Sequence, residues 1–327
     1  MKLQLPIHIP QLPQPIRYTD KILLVGSCFT EHISGRLSAH KFQTLQNPHG
    51  ILFNPLSVAH SLLSYARNKL YAAEDLFYLN ELWGSWDHHT RFSHVDKAAA
   101  LEGINASQQQ AADFIREADW IIITLGSAFQ YFLRAENKAV ANNHRAPAAW
   151  FEKHLLEIDV ITDALQAALD TISNVNAKAQ FLFTISPVRH IRDGVVDNNR
   201  SKARLIESVH SLCAQVSNSF YFPAYELVID VLRDYRFYDI DMVHPNYAAT
   251  ESVWEVFAQS CIAPEAWPVM EEVREIVTAK NHRPRFPETE AHQKFLRTYA
   301  EKTAALAAAH PYLNLAEEAD YFYGTTR

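Results

Sequence analysis

The order of apolar segments in this chain of 327 residues predicts an α/β fold: a doubly wound parallel sheet flanked by helices, with a helical extension at its C-terminus. Three observations carry that expectation. From residue 21 onward, short β-type runs alternate with longer amphipathic ones, and parallel strands need crossovers of that kind between them. The run from Trp120 to Leu125 is apolar with little interruption, and Phe181 to Ile185 reads alike, the pattern of strands covered on both faces. Beyond Pro264 the strand signals stop and charged helical periodicity takes over.

Lys21 to Val25 reads as the first strand. Gly26 breaks it, and Cys28 to His40, with Phe29, Ile33 and Leu37 four residues apart, reads as a helix. A short strand near Phe42 to Leu45 precedes the turn-rich Asn47 to Gly50. Asn54 suits a helix N-cap and Pro55 the first helical position, so a helix follows to about Asn68. Asp96 to Glu117 is helical and leads into the Trp120 strand. Tyr131 to Ala141 reads as a hairpin or extended excursion, and Pro147 to about Ser173 as one long helix. After the Phe181 strand, Arg200 to Ser217 is helical, Phe220 to Phe222 is the last parallel strand, and Asn246 to Cys261 is a closing helix. Glu271 to Lys280 and Glu288 to Ala309 are helical, interrupted by Pro284 and Pro287. The expected division is therefore an α/β domain over 1–263 and a helical extension over 264–327, packed on it or serving as a homo-oligomer contact.

Composition narrows the function classes. A formal charge of -7, with no Lys/Arg-rich run, gives no attraction to phosphate backbones or anionic lipid, so nucleic acid is not an expected partner. Polar residues and prolines interrupt the N-terminal segment where a signal peptide needs an apolar run, and no stretch approaches the roughly 20 apolar residues of a membrane span. Three cysteines, Cys28, Cys213 and Cys261, are too scattered for a disulfide framework, so a cytoplasmic protein is expected.

Ligands bind beyond the carboxyl ends of parallel strands. Four turns follow strands here and should share one rim: Gly26-Ser27, the loop from Asn47 to Asn54, Gly126-Ser127, and Ser186 to His190. Ser27 would sit at a helix N-terminus, where free N–H groups favour developing negative charge. A serine needs a base to accept its proton. His244 is the candidate base, and Asp241, three residues earlier, the carboxylate that orients it. The backbone N–H groups of Ser27 and Gly50 are the candidate oxyanion donors, each worth about 3 kcal/mol to the transition state. Each element also has a bland reading: Ser27 as an N-cap, Gly50 as a turn closer, and D-x-x-H as a pattern that arises by chance about once in such a chain. Their order on an α/β pattern is the signal.

Gly26-Ser27-Cys28-Phe29 resembles the signature of the GSCFA family, whose members look like SGNH-type (GDSL-like) hydrolases. The resemblance extends through His49 to Pro55, Thr124 to Ala128, Ala141 to Arg145, Ser186 to Arg189 with Ser201-Lys202, and Leu232 to Tyr238 with Asp241 to Pro245. It implies a flavodoxin-like three-layer SGNH fold, with Ser27 as nucleophile, Gly50 as oxyanion donor, and Asp241 and His244 completing a triad. Thr30 replaces the signature's alanine. More consequentially, Gly126-Ser127-Ala128 lacks the asparagine that SGNH enzymes place after a glycine as a further donor; Ser127 and Asn142 are the candidate replacements.

Other polar residues divide between structure and substrate. Asn54, His144, Arg189 and His190 are candidate substrate contacts, with loop hydrogen bonding or an ion pair to Asp193 as the plainer reading for several of them. Trp86-Asp87-His88-His89 with His94 is rich in ligand types, but adjacent histidines on an extended segment face opposite ways, so no metal and no cofactor are expected. Lining a pocket, surface packing, or a sugar-stacking wall with Trp83 remain open for that stretch. The reading is a serine esterase acting on a small O-acyl group of a carbohydrate or related metabolite. An O-acyltransferase with the same triad and a non-catalytic glycan- or partner-binding module are its rivals.

Overall fold

The computed structural model describes residues 5–324. The chain runs β1 (Lys21–Gly26), α1 (Cys28–Ala39), β2 (Gln43–Gln46), α2 (Pro55–Ala66), a hairpin of β3 (Phe77–Leu79) and β4 (Leu82–Gly84), α3 (Lys97–Ile115), β5 (Trp120–Leu125), β6 (Phe129–Leu133), β7 (Lys138–Val140) and β8 (Phe151–Leu155). It continues through α4 (Ile158–Val175), β9 (Gln180–Ile185), α5 (Val195–Gln215), β10 (Ser219–Tyr221), the single turn α6 (Ala224–Glu226) running into a π-helical turn at Leu227–Leu232, and α7 (Tyr247–Cys261). Three further helices follow: α8 (Trp267–Asn281), α9 (Glu290–Ala309) and α10 (Ala316–Tyr323).

The central sheet is parallel, in the order β10-β9-β5-β1-β2. Its chain order reverses between β1 and β5, the switch point at which open α/β sheets leave a crevice. Gly26 lies opposite Thr124, and Leu125 opposite Ile185, so β1, β5 and β9 end at one level. The two-residue period of a strand sorts side chains to opposite faces. Ile22, Leu24, Trp120, Ile122 and Leu182 join a core with α1, α7 and the C-terminal helices. Leu23, Val25, Ile121, Ile123, Phe181 and Phe183 join a second core with α2, α4 and α5. Each fully buried large apolar side chain contributes about 1.5–3 kcal/mol, which anchors the strand ends firmly.

The C-terminal helices close the first of these cores: Val273, Ile276, Leu306 and Phe322 are buried against it. Glu318 of α10, 1% exposed, pairs with Lys41 at 2.8 Å and Lys280 at 3.0 Å, tying the extension to the turn before β2.

The structure corrects several expected elements. Pro147 to Ser173 is not one helix: a 3₁₀ turn at Ala148–Trp150 leads into β8, which pairs antiparallel with β6, and the helix begins only at Ile158. The bulky Phe151 is buried in that small sheet, so tertiary pairing outweighs helix propensity there. The β3–β4 hairpin was not expected; its tip residues Asn80 (φ 49°) and Glu81 (φ 65°) both take positive φ, as a type I′ turn requires. α5 begins at Val195 rather than Arg200, α8 at Trp267 rather than Glu271, and the π turn and α10 carried no signal that was read.

Candidate active site

Gly26 ends β1 at φ 150°, and a methyl group there would overlap the Thr124 carbonyl of the neighbouring strand. Only glycine fits so close an approach. The turn it permits makes Ser27 the N-cap of α1: its Oγ accepts the Phe29 amide at 3.3 Å, and the residue is 3% exposed. The Asn47 side chain secures the same turn from β2, accepting the Gly26 amide at 2.9 Å.

On the other side, the loop before α7 folds around Asp241. One carboxylate oxygen accepts the amides of Val243 (2.9 Å) and His244 (3.0 Å), and the other lies 2.6 Å from His244 Nδ1. The His244 amide, then its ring, then the Val243 amide stabilise the ionised form and bring the Asp241 pKa down to about 2. Nδ1 is thereby engaged, leaving Nε2 as the nitrogen available to a reacting group.

Ser27, Asp241 and His244 line one cavity of about 550 Å3 at the C-terminal edge of the sheet. All four strand-end turns contribute to its wall, through Ser27, Asn54, Ser127 and Arg189 with His190 among others. β6 and β8 supply a further side, and a Lys153–Asp193 ion pair links β8 to the loop after β9. Among the described residues no hydrogen bond joins Ser27 Oγ to His244; the serine and the Asp241–His244 pair line one cavity.

The expected oxyanion donors are differently placed. The Ser27 amide donates to Thr124 O at 3.0 Å, extending the sheet, and the Gly50 amide to Asn47 O at 2.7 Å, closing a turn. The Gly126 and Ser127 amides both donate to Phe53 O, at 2.7 and 3.0 Å. The Ser127 hydroxyl sits 3.3 Å from Ser201 Oγ and accepts the Phe29-like cap bond of its own turn from Phe129 N at 3.2 Å. These groups satisfy the backbone of converging strand ends, which sequence spacing does not reveal. Asn142 and Asn54 do line the cavity; their side-chain oxygens accept the His144 amide (2.8 Å) and the Ser57 amide (2.9 Å), so each keeps its NH2 group as a donor. The amide of Cys28, first residue of α1, is one of the orphan donors of a helix start.

Of the candidate substrate contacts, Asn54, Arg189 and His190 line the cavity and His144 does not. His144 Nε2 donates to Ser85 O at 2.9 Å and the ring packs on Phe77 and Trp86, so it organises the loop after β7. Trp86 is itself buried in that cluster and forms no open sugar-stacking wall. His190 is brought down to about 4, first by burial and then by the charge of Lys202. Lys202 was singled out only within the resemblance. It is 1% exposed, and its Nζ donates to Gly126 O and Ser186 O, both at 2.6 Å, clamping the ends of β5 and β9 beneath the cavity. Burial lowers its pKa to about 7, against a small opposing pull from Cys28.

Behind Gly50 lies a buried histidine pair. The rings of His49 and His88 lie 4.0 Å apart between centroids, tilted by 44°; His49 Nε2 meets Gln108 Oε1 at 2.8 Å and His88 Nδ1 meets Ser85 Oγ at 3.0 Å. Burial keeps both neutral, with His49 at about 4 and His88 well below its ordinary value. Burial alone would raise Asp87, but His60, Lys138 and Lys69 outweigh it and hold its carboxyl low. Among the described residues no group of three or more His, Cys, Asp or Glu is arranged to hold a metal ion, and no helix is long and apolar enough to cross a membrane.

Comparison with known proteins places the chain. Residues 21–257 match the GSCFA family, and residues 273–325 match the GSCFA domain protein, C-terminal domain. No curated protein matches. Among solved structures the chain is similar to an acetyl xylan esterase (Est2A) from the rumen bacterium Butyrivibrio proteoclasticus, at 12% identity and a TM-score of 0.35, over 75% of this chain and 65% of that one. The chain thus spans just under two thirds of that enzyme's length.

Proposed function

We propose that this chain, which belongs to the GSCFA family, is a serine esterase of SGNH type that removes a small O-acyl group from a carbohydrate or related metabolite. The observation that carries the reading is the convergence of Ser27 and the Asp241–His244 pair on one cavity from segments more than two hundred residues apart. Ser27 Oγ attacks the acyl carbonyl, and His244 takes the hydroxyl proton at Nε2, then returns it to the leaving alcohol oxygen. Asp241 holds the ring by Nδ1 and stabilises the imidazolium. Water, deprotonated by the same nitrogen, then cleaves the acyl-enzyme.

Two imidazoles line the cavity, and their surroundings separate the roles. His244 has a carboxylate on its far nitrogen, which fixes the ring and leaves Nε2 to act as the base. His190 is buried, faces the charge of Lys202, and resists protonation, so it serves as a neutral wall or hydrogen-bond partner for substrate. Arg189 and Asn54 contact the substrate beside it. The oxyanion is taken by the NH2 group of Asn142, with the Cys28 amide at the helix start; the Ser27 and Gly50 amides join only by giving up bonds they already make.

The Ser27→Ala variant is expected to lose hydrolysis of 4-nitrophenyl acetate down to the uncatalysed rate while still unfolding cooperatively, with only the loss of about 1 kcal/mol that a missing N-cap brings. Undiminished turnover would remove Ser27 from the chemistry. A second reading, a glycan-binding module that has kept the fold, is favoured by the missing Ser27–His244 hydrogen bond. Saturable saccharide binding by a wild-type protein inert toward every aryl ester would select it.

A further inference from the structure

The stretch from Leu232 to Tyr238 belongs to the resemblance, yet the chemistry proposed above leaves it without a task. In the structure it forms one wall of a second groove, of about 360 Å3, next to the cavity that holds Ser27. Arg189 lines both spaces, so they meet at its side chain. Its guanidinium lies 4.0 Å over the Tyr238 ring and 5.5 Å from that of Tyr235, and donates to Met242 O at 3.1 Å. With five N–H groups in a guanidinium, donors remain for a ligand on either side.

Three features of this groove point to one chemistry. Tyr235 is a large aromatic left 65% exposed beside a cavity, an arrangement that offers a flat apolar face to a partner. The rest of the lining mixes signs, with Asp230 and Asp234 against Arg189 and Arg233. A groove of one sign would suit a charged ligand, whereas alternating acceptors and donors match hydroxyl groups, which do both. The backbone that presents them is unusual: Leu227–Leu232 is π-helical and ends on Arg233 in the left-handed region at φ 33°, a costly conformation for a long side chain. Among the described residues neither Asp230 nor Arg233 makes an ion pair.

We infer that this groove is a saccharide subsite: Tyr235 stacks on a pyranose ring, and Asp230, Arg233 and Arg189 bond its hydroxyls, so that the acylated sugar in the catalytic cavity is one unit of an oligosaccharide. The inference rests on the esterase reading for its acyl group and stands on its own for sugar binding.

The test has two arms. First, unacetylated cellotriose and xylotriose are titrated into the Ser27→Ala protein and followed by NMR. At least one is expected to bind saturably, about tenfold more weakly when Tyr235→Ala is added and near the original affinity with Tyr235→Phe, which keeps the ring. Second, kcat/KM is measured for the partially O-acetylated trisaccharides and for 4-nitrophenyl acetate. The ratio of saccharide to aryl ester is expected to fall about tenfold in Tyr235→Ala, through KM. No saturable binding of either sugar, or binding indifferent to Tyr235, overturns the subsite even if aryl ester is cleaved. Binding that depends on Tyr235 without any ester turnover sustains the subsite and overturns the esterase.

Discussion

Asp241 holds its partner through two backbone amides and one ring nitrogen, and so stays ionised down to about pH 2. Loss of activity on acidification above that value therefore belongs to other groups. Asp241→Asn preserves the shape of the loop but offers the ring an amide, and is expected to lower kcat roughly a thousandfold or more in steady-state assays with an aryl acetate. A decrease under tenfold would mean that His244 is oriented by something else. Lys202 tests a different physics. Its folded pKa of about 7 lies below the ordinary lysine value, so unfolding takes up a proton above pH 7 and stability from this group rises with pH. In paired denaturant titrations, wild type is expected to gain stability relative to Lys202→Met between pH 7 and about pH 9. A difference flat across that range would show the lysine to be charged in the fold. At this scale the nucleophile, base and carboxylate candidates were legible because each sits at a break in periodicity. The hydrogen-bond partners of the expected oxyanion donors were not, since an amide's availability depends on which carbonyl the neighbouring strand brings to it, as Thr124 does for Ser27.

The turn between β1 and α1 depends on the close approach of Gly26 to β5. Gly26→Ala would drive a methyl group into the Thr124 carbonyl, and is expected to cost about 3 kcal/mol or more, measured by chemical denaturation. Wild-type stability in that variant would show that the strands can part. The loop from β2 to α2 rests on buried, neutral His49 and His88, whose unfolded forms bind protons more readily than their folded ones. The contribution of His49 is full above about pH 6.5 and is lost as the pH falls toward 4, on the order of 3 kcal/mol in all. Hydrogen exchange at the loop amides is expected to quicken over that window. The strands of the central sheet were legible from apolar runs and their breaks. β8 was not, because Phe151 to Leu155 has the propensities of a helix flank and becomes a strand only by pairing with β6.

Across the whole molecule, the cavity lined by Ser27 and His244 lies on a sheet whose one face is completed by the C-terminal helices. Val273 and Ile276 of α8 are buried against the same cluster as Phe29, Ile33 and Leu37 of α1, the helix that Ser27 caps. Removing residues 264–327 would uncover that cluster, and each large side chain exposed forfeits about 1.5–3 kcal/mol. The truncated chain is expected to aggregate or to unfold at much lower denaturant than the full chain, by circular dichroism; a soluble fragment of undiminished stability would show the extension to be an independent appendage. The helical character of the extension was legible in its periodicity and packing on the α/β domain was one of its two expected roles, but the contacts that hold it were not legible, since pairs such as Glu318 with Lys41 join residues far apart in the chain. The central claim, that Ser27 is a nucleophile activated by His244, is met most directly by treating the folded protein with a fluorophosphonate and mapping the modified peptide by mass spectrometry. Labelling at Ser27 that disappears in His244→Ala is the expected result, whereas a folded wild-type protein left unmodified at Ser27 would contradict it.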